Sequence, residues 1–294
     1  MQKITPHLWF DTQAREAADF YTSLFEQSEV GQVTTLRDTP SGDADVVPFV
    51  LAGQRFMSIN AGPLFKFNPS ISFTILCAST DEVDRLWKEL SEGGFAMMPL
   101  DSYPWSQRYG WVADRFGLSW QLMHVGDQPF TQKIVPSLMF VGDVCGKAEE
   151  AMGLYTSVFG GSVDDPIVRF GPDEQPGEEG TVKYASFTLS GAKFSAMDGG
   201  RVHDFGFNEA VSLMVSCDTQ EEIDFFWDRL SAVPEAEQCG WLKDRYGVSW
   251  QVVPAAMDRM MQESDEATRA RVTQAFLTMK KFDLAKLEEA YAGV

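Results

Sequence analysis

The most constraining feature of this chain is a long motif that occurs twice. Residues 109–121 read Tyr-Gly-Trp-Val-Ala-Asp-Arg-Phe-Gly-Leu-Ser-Trp-Gln, and residues 239–251 read Cys-Gly-Trp-Leu-Lys-Asp-Arg-Tyr-Gly-Val-Ser-Trp-Gln. Residues 21–25 and 155–159 match in the same way, as do Trp87 and Trp227. The match predicts a tandem duplication of a domain-sized sequence, because each copy is far longer than the repeat of a solenoid.

The duplication divides the chain into three parts. We expect two domains, residues 1–127 and 131–254, joined at the turn-forming segment Gly126-Asp127-Gln128-Pro129. The third part, residues 255–294, has no counterpart in the first copy. Its apolar residues recur at helical spacing, which predicts one or two helices that pack on a domain or on a partner.

Composition and charge exclude several classes of protein. The formal net charge is −19 and no basic patch is visible, so we expect no nucleic-acid partner. No apolar run is long enough to predict a membrane span, and the N-terminal residues do not resemble a signal segment. The four cysteines form no CxxC pair, and Cys77 and Cys217 lie at equivalent positions in apolar strands. Buried free thiols and a cytoplasmic location follow as expectations.

Hydrophobic periodicity predicts the same order of elements in each half of a copy. In the first half, residues 4–10 alternate as a strand, 14–25 have helical spacing, and 46–52 and 55–60 are strands. In the second half, strand 70–77 precedes a helix over 80–90 and strands over 111–114 and 118–122. Each copy is therefore expected to contain two βαβββ modules, with helices on one face of mixed sheets, which is the α+β class.

Strand alternation separates two faces of the predicted sheets. In the first strand, Leu8 and Phe10 are kept in the second copy as Leu138 and Phe140. His7 and Trp9, which alternate with them, become Ser137 and Met139. Because successive side chains point to opposite faces, one face has kept its chemistry, as a helix-packed core would. The other face is either the wall of a cavity or a solvated surface.

The same alternation assigns several polar residues to the variable face, which is the face that differs between the two copies. Asn60 aligns with Asp198, and Ser72 aligns with Ser212. Ser119 and Gln121 recur as Ser249 and Gln251. The candidate ligand-binding residues are His7, Trp9, Asn60, Ser72, Ser119 and Gln121 from the first copy, and Asp198, Ser212, Ser249 and Gln251 from the second.

Several of these segments resemble a known family. They are Ile4-Thr5-Pro6-His7-Leu8-Trp9-Phe10, the Gly53 to Pro63 stretch, Phe67-Asn68-Pro69-Ser70-Ile71-Ser72, and the Gly110 to Gln121 motif. They are similar to PhnB-like proteins of the glyoxalase/bleomycin-resistance, or vicinal oxygen chelate, superfamily, many of which carry the label 3-demethylubiquinone-9 3-methyltransferase domain. The resemblance implies paired βαβββ modules whose curled sheet encloses a small-molecule cavity. It also implies a paired arrangement of domains. The two linked domains of one chain could form this pair, and a homodimer is the alternative.

The residues do not reproduce the metal chemistry that the resemblance implies. Metal-dependent members of the superfamily use His and Glu at the ends of the first, fourth, fifth and eighth strands. The matching region here offers Thr5 or His7, Asn60, Ser70 or Ser72, and Gln121. Amide and hydroxyl oxygens without carboxylates are poor ligands for zinc, nickel or iron, so we expect no metal and no cofactor.

The favoured interpretation is a small-molecule-binding protein of this superfamily without a metal centre. The alternative is an enzyme, either a metal-dependent isomerase, lyase or dioxygenase, or the methyltransferase of the label. The Gly-Gly pairs follow helices or lie in loops, and no Gly-x-Ser-x-Gly motif occurs, so no residue pattern indicates catalysis. A third interpretation makes one copy a structural mate of the other.

Overall fold

The structure is a computed structural model that describes residues 2–294. The strands are β1 Ile4–Phe10, β2 Glu29–Val30, β3 Thr34–Thr39, β4 Gly42–Leu51, β5 Gln54–Asn60, β6 Ile71–Cys77, β7 Phe95–Tyr103, β8 Ser106–Ala113, β9 Ser119–His124, β10 Ile134–Phe140, β11 Gly161–Val163, β12 Val168–Arg169, β13 Val182–Leu189, β14 Ala192–Asp198, β15 Val211–Cys217, β16 Trp241–Lys243 and β17 Ser249–Pro254. The helices are α1 Ala14–Leu24, α2 Thr80–Ser91, α3 Ala148–Phe159, α4 Gln220–Leu230, α5 Ala256–Gln262, α6 Glu266–Leu277 and α7 Leu284–Ala292. No helix within residues 2–294 has the length and apolar character needed to cross a bilayer.

The chain divides into two compact units that do not coincide with the two sequence copies. Unit 1 contains Met1–Lys66 and Asn208–Val294, and unit 2 contains Phe67–Phe207. Each unit therefore combines one module of the first copy with one module of the second. This differs from the expected compact domains 1–127 and 131–254, although the order of elements follows the duplicated sequence.

Unit 1 is built on an eight-stranded mixed sheet. The strand order is β16-β17-β15-β1-β5-β4-β2, and β3 pairs with β4. Strand β1 lies at its centre, antiparallel to β15 and parallel to β5, so that His7 is opposite Ser212 on one side and Met57 on the other. Helices α1 and α4 pack against this sheet, α1 on β4 and β5 and α4 on β15 and β17.

Unit 2 repeats the arrangement with the copies exchanged. Its nine-stranded sheet has the order β11-β13-β14-β10-β6-β9-β8-β7, and β12 pairs with β13. Strand β10 is antiparallel to β6 and parallel to β14, so that Ser137 is opposite Ser72 and Ser195. The predicted α+β architecture with mixed sheets is confirmed.

The last module departs from the βαβββ pattern. In the second module of the first copy, α2 is followed by β7, β8 and β9, whereas α4 is followed only by β16 and β17. The segment that aligns with the beginning of β8 instead binds the C-terminal part of the chain. The backbone N–H groups of Cys239 and Gly240 donate to the carbonyl oxygens of Met279 and Lys280. The C-terminal part thus substitutes for the absent strand.

The C-terminal part forms three helices, one more than the spacing predicted. Helices α5, α6 and α7 share a small apolar cluster of Met260, Met261, Val272, Phe276, Phe282 and Leu287. The cluster is fastened to the sheet module by Gln220, whose side chain bonds to the backbone of Phe282 and Leu284. Within unit 1, these helices lie against the sheet module.

Candidate functional site

The candidate site is a cavity of about 490 Å³ inside unit 1. One wall is the face of the sheet that carries His7, Trp9 and Gln251. The end of β3 and the loop that follows it form a second wall with Thr39, Pro40 and Ser41. Helices α5 and α6 and the segment before α7 form a third wall. The volume lies within the usual range for small-molecule sites.

His7 is a buried imidazole at the centre of this wall. Only 4% of its surface is exposed, and burial lowers its pKa to about 3, so the ring is neutral. Its Nδ1 has no hydrogen-bond partner among residues 2–294. Buried polar atoms are normally bonded, so this unpaired ring nitrogen departs from the usual pattern of buried polar groups.

Aromatic rings surround the imidazole. The Trp241 ring lies edge-on to His7 with 5.4 Å between centroids, and Trp9 lies 6.1 Å from Trp241 and 5.0 Å from Phe65. The Trp9 indole Nε1 donates to the carbonyl oxygen of Gly62 at 2.8 Å, which orients that ring. Half-buried rings held in fixed orientations offer an aromatic ligand stacking or edge contacts.

Gln251 supplies an amide to the same wall. Its Nε2 donates to the Ser212 hydroxyl at 2.9 Å. The Oε1 of Gln251 accepts no hydrogen bond within residues 2–294, although the residue is only 6% exposed and lines the cavity. Nearby, the buried Ser249 hydroxyl also lacks a partner in this part of the chain.

The equivalent residues of unit 2 are bonded to one another. The Tyr109 hydroxyl donates to Gln121 Oε1 at 2.7 Å, and Gln121 Nε2 donates to Ser72 Oγ at 2.7 Å. The Trp111 Nε1 donates to Ser119 Oγ at 2.8 Å. The alignment places Cys239 where Tyr109 stands, so unit 1 has lost the phenol that completes this network.

The centre of each sheet shows the same difference. In unit 2 the Ser137 hydroxyl bonds to Thr74 at 2.8 Å and to Ser195 at 2.6 Å. Strand register places His7, Met57 and Met214 at the corresponding positions of unit 1, and all three line the cavity. Unit 2 thus has small polar side chains that form hydrogen bonds with one another, where unit 1 has larger side chains around a cavity.

Asn60 and Asp198 lie on the other face of their sheets, contrary to expectation. Asn60 pairs with Phe10 across the strands, and its Oδ1 accepts the Ala14 N–H at 2.7 Å, at the start of α1. Asp198 accepts the N–H groups of Gly146, Ala148 and Val182. Cross-strand partners share a face, so the register sends both side chains towards the helices, where they cap helix N-termini.

The other predicted residues fall into two groups. His7, Trp9, Ser212, Ser249 and Gln251 meet on one face of the unit 1 sheet. Ser72, Ser119 and Gln121 meet on the equivalent face in unit 2, and do not join His7 and Trp9 as the first-copy cavity required. The reason is that β1 pairs with β15 of the second copy and not with β6.

Sequence reasoning missed several residues of the cavity. Trp241, Met57 and Met214 line the sheet wall, and Met261 and Phe276 reach it from the C-terminal helices. The repeated motif contains Trp241, and its pairing with Gln251 across β16 and β17 places both side chains on the same face. The contribution of the helices had no signal, because their periodicity says nothing about which surface they cover.

The donor set of the cavity does not fit a divalent metal centre. His7 is the single imidazole in the wall within residues 2–294, and Gln251 adds an amide. Three carboxylates among the described residues line the cavity: Glu209 is bonded to Lys243 at 2.9 Å, Asp258 is bonded to Arg55 at 2.9 Å, and the third is Glu235. In the described part of the chain, no three His, Cys, Asp or Glu side chains converge. Divalent centres need three or four convergent ligands of these kinds.

Comparisons with known proteins agree with this architecture. The family model described as 3-demethylubiquinone-9 3-methyltransferase matches residues 2–123 and again residues 132–253. A PhnB protein from Bacillus cereus is 38% identical over 42% of this chain and all of its own, with a TM-score of 0.40. Glyoxalase I from Zea mays is 11% identical and covers 90% of this chain and 96% of its own, with a TM-score of 0.56. An uncharacterized protein of Mycobacterium tuberculosis is 28% identical over 40% of this chain and 72% of its own length.

Proposed function

The chain belongs to the 3-demethylubiquinone-9 3-methyltransferase family, and we propose that it is a metal-free member that binds a small organic molecule in the unit 1 cavity. The observation that carries the proposal is the contrast between equivalent faces of the two sheets. The polar side chains of unit 2 bond to one another. In unit 1 the buried His7 Nδ1 has no partner, and Gln251 Oε1, beside the cavity, accepts no hydrogen bond within residues 2–294. Unpaired buried polar groups cost free energy unless a ligand or water satisfies them.

Unit 2 acts in this proposal as the structural partner of the duplication. Tyr109 occupies the place that a ligand would take, and burial raises the pKa of its hydroxyl, so it remains a neutral donor to Gln121. Ser72, Ser119 and Gln121 then stabilise the sheet and contact no ligand. This assigns different roles to two copies that share one motif.

The cysteines support a reducing compartment, and we place the protein in the cytoplasm. All four are free thiols. Burial raises the pKa of Cys77 and of Cys217 to about 12, so these thiols stay protonated and unreactive.

The experiment that tests binding uses a cavity-filling variant. Ile59 lines the cavity from β5, and Ile59→Trp adds a bicyclic ring to it. We expect the wild type to bind the neutral fluorescent probe N-phenyl-1-naphthylamine at a 1:1 ratio and the variant to bind none. The control is Val168→Trp, which adds the same ring at a residue of unit 2 that is 46% exposed.

Two results would overturn the proposal. One is a wild type that neither binds the probe nor releases a co-purified small molecule in native mass spectrometry. The other is equal probe binding by Ile59→Trp and the wild type. Stoichiometric zinc, nickel, manganese or iron in the purified protein, lost on substitution of His7, would contradict the metal-free part alone.

A further inference from the structure

The two units differ at one position of a hydrogen-bonded chain of side chains, and this difference indicates the chemistry of the ligand. In unit 2, three side chains form a chain of hydrogen bonds from the Tyr109 hydroxyl through the Gln121 amide to the Ser72 hydroxyl. Unit 1 keeps the last two members as Gln251 and Ser212, at 2.9 Å. The first member is absent, because Cys239 aligns with Tyr109.

Cys239 does not take over the role of the phenol. Its Sγ lies 3.8 Å from the Leu277 carbonyl oxygen, on the side of the C-terminal helices. Its backbone is held by the N–H bond to Met279 and has a φ of +52°, whereas Tyr109 lies within the regular strand β8. The amide oxygen of Gln251 therefore faces the cavity without the donor that its counterpart has.

The surroundings of this oxygen suit an aromatic ring without charge. Trp241, Trp9 and Phe65 present rings to the cavity, and Met57 and Met214 add thioethers that pack well against aromatic edges. No lysine or arginine lines the cavity within residues 2–294, so nothing in its wall would compensate a bound anion.

We propose that the ligand of the unit 1 cavity is a neutral phenol, whose ring packs against Trp241 and Trp9 and whose hydroxyl donates to Gln251 Oε1. The ligand thereby restores the hydrogen bond that Tyr109 makes to Gln121. This inference rests on the proposed binding function and names the chemical class that the cavity selects. A phenol ether of the same shape keeps the ring contacts but cannot donate.

The test compares three probes of the same ring system, 2-naphthol, 2-methoxynaphthalene and naphthalene, by calorimetric or equilibrium-dialysis titration at pH 7. We expect 2-naphthol to bind about fivefold more tightly than its methyl ether, the ratio that one net hydrogen bond supplies. In Gln251→Met this ratio should fall to about one, since the side chain keeps its length and loses its acceptor. The matched control Gln121→Met should keep the wild-type ratio, because Gln121 Oε1 is already bonded to Tyr109.

The outcomes separate this inference from the proposal beneath it. Equal binding of all three probes to the wild type, or an unchanged ratio in Gln251→Met, overturns the phenol assignment and leaves small-molecule binding in place. Failure of all three probes also overturns the phenol assignment, and the separate titration with N-phenyl-1-naphthylamine then decides the proposed binding function. The comparison of 2-naphthol with its methyl ether in the wild type needs no variant, so it decides the question even where Gln251→Met folds poorly.

Discussion

Ser249 and Ser119 occupy equivalent strand positions but have different partners. Ser119 Oγ accepts the Trp111 indole N–H, whereas Ser249 Oγ is buried without a partner among residues 2–294. We expect Ser119→Ala to lower the free energy of unfolding by about 1 kcal/mol and Ser249→Ala to change it by less than about 0.5 kcal/mol, because only the first removes a hydrogen bond. Urea unfolding followed by tryptophan fluorescence measures both, and equal losses would contradict the assignment.

His7 should make stability depend on pH. The unfolded imidazole titrates near its ordinary pKa of 6.5, whereas burial lowers the folded pKa to about 3. Below pH 6.5 the unfolded chain therefore binds a proton at His7 that the folded chain does not bind. The stability that is present above pH 6.5 is lost progressively as the pH falls to about 3. Between pH 6.5 and 5 this loss is about 1.5 kcal/mol.

The variant that isolates this effect is His7→Met. All other groups are the same in the two proteins, so the difference between the two stability profiles belongs to His7. We expect the free energy of unfolding of the variant to fall less over this pH range, by about the 1.5 kcal/mol that linkage assigns to the imidazole. Parallel profiles would mean that the folded imidazole is solvated.

For individual residues, the sequence predicted which side chains of one strand share a face. It did not predict how neighbouring strands are aligned. Comparing the copies placed His7 and Trp9 on the variable face, where they line the cavity. It grouped Asn60 with them, but β5 is aligned so that Ile59 faces the cavity and Asn60 faces α1. A shift of one residue reverses a side chain's face, and a single strand carries no information about that shift.

The N-terminus of α1 depends on a side chain from another element. Gln13, at the N-cap position, makes no side-chain capping bond, and Asn60 Oδ1 on β5 accepts the Ala14 N–H. We expect Asn60→Ala to destabilise the protein by about 1 kcal/mol, as loss of a cap does, while probe binding per folded molecule stays unchanged. Thermal unfolding and titration of the neutral fluorescent probe measure the two effects. A loss of affinity without a loss of stability would return Asn60 to the site.

The close fit of the C-terminal segment against the sheet can be tested at Gly240. A Cβ there would lie 2.5 Å from the Phe282 ring and 2.9 Å from the Val252 carbonyl oxygen, at a φ of +80°. Gly191 has a similar φ of +83°, and a Cβ added to it would meet no atom within 4 Å, so Gly191→Ala controls for backbone strain. We expect Gly240→Ala to cost about 1–3 kcal/mol more than the control and to speed proteolysis between α6 and α7. Equal losses of stability in the two variants would show that the C-terminal segment shifts to make room for the added Cβ.

The elements themselves were largely predictable, because most of them bury a face of regular period. Helix α2 over Thr80–Ser91 and strand β5 over Gln54–Asn60 follow the expected ranges closely. Strand β7 was not predicted, since its residues are mostly exposed and its register against β8 shifts repeatedly. In the sequence, the lack of an equivalent strand after α4 showed only as a shorter segment in the second copy. The backbone contacts with Met279 and Lys280 that replace it are long-range and had no sequence signal.

At the scale of the molecule, the duplication predicted how many modules there are but not which modules pair. Strand β1 finds its antiparallel partner in β15 of the second copy, and β6 finds β10. Within-copy pairing of β1 with β6 would satisfy the same hydrophobic pattern, because β6 and β15 are duplicates. The residue pattern of these strands therefore does not distinguish the two arrangements.

The exchange of partners predicts the behaviour of the first copy alone. In a fragment of residues 1–130, β1 lacks β15 and β6 lacks β10, so each strand exposes a row of unpaired backbone groups and an apolar face. Two fragments can satisfy each other, with β1 of one pairing with β6 of the other, since β6 is the duplicate of β15. We therefore expect the fragment to sediment as a folded dimer, whereas the full chain needs no second copy for these pairings. Sedimentation velocity of both at the same concentration decides the matter, and a folded monomeric fragment would show that β1 and β6 can pair within one copy.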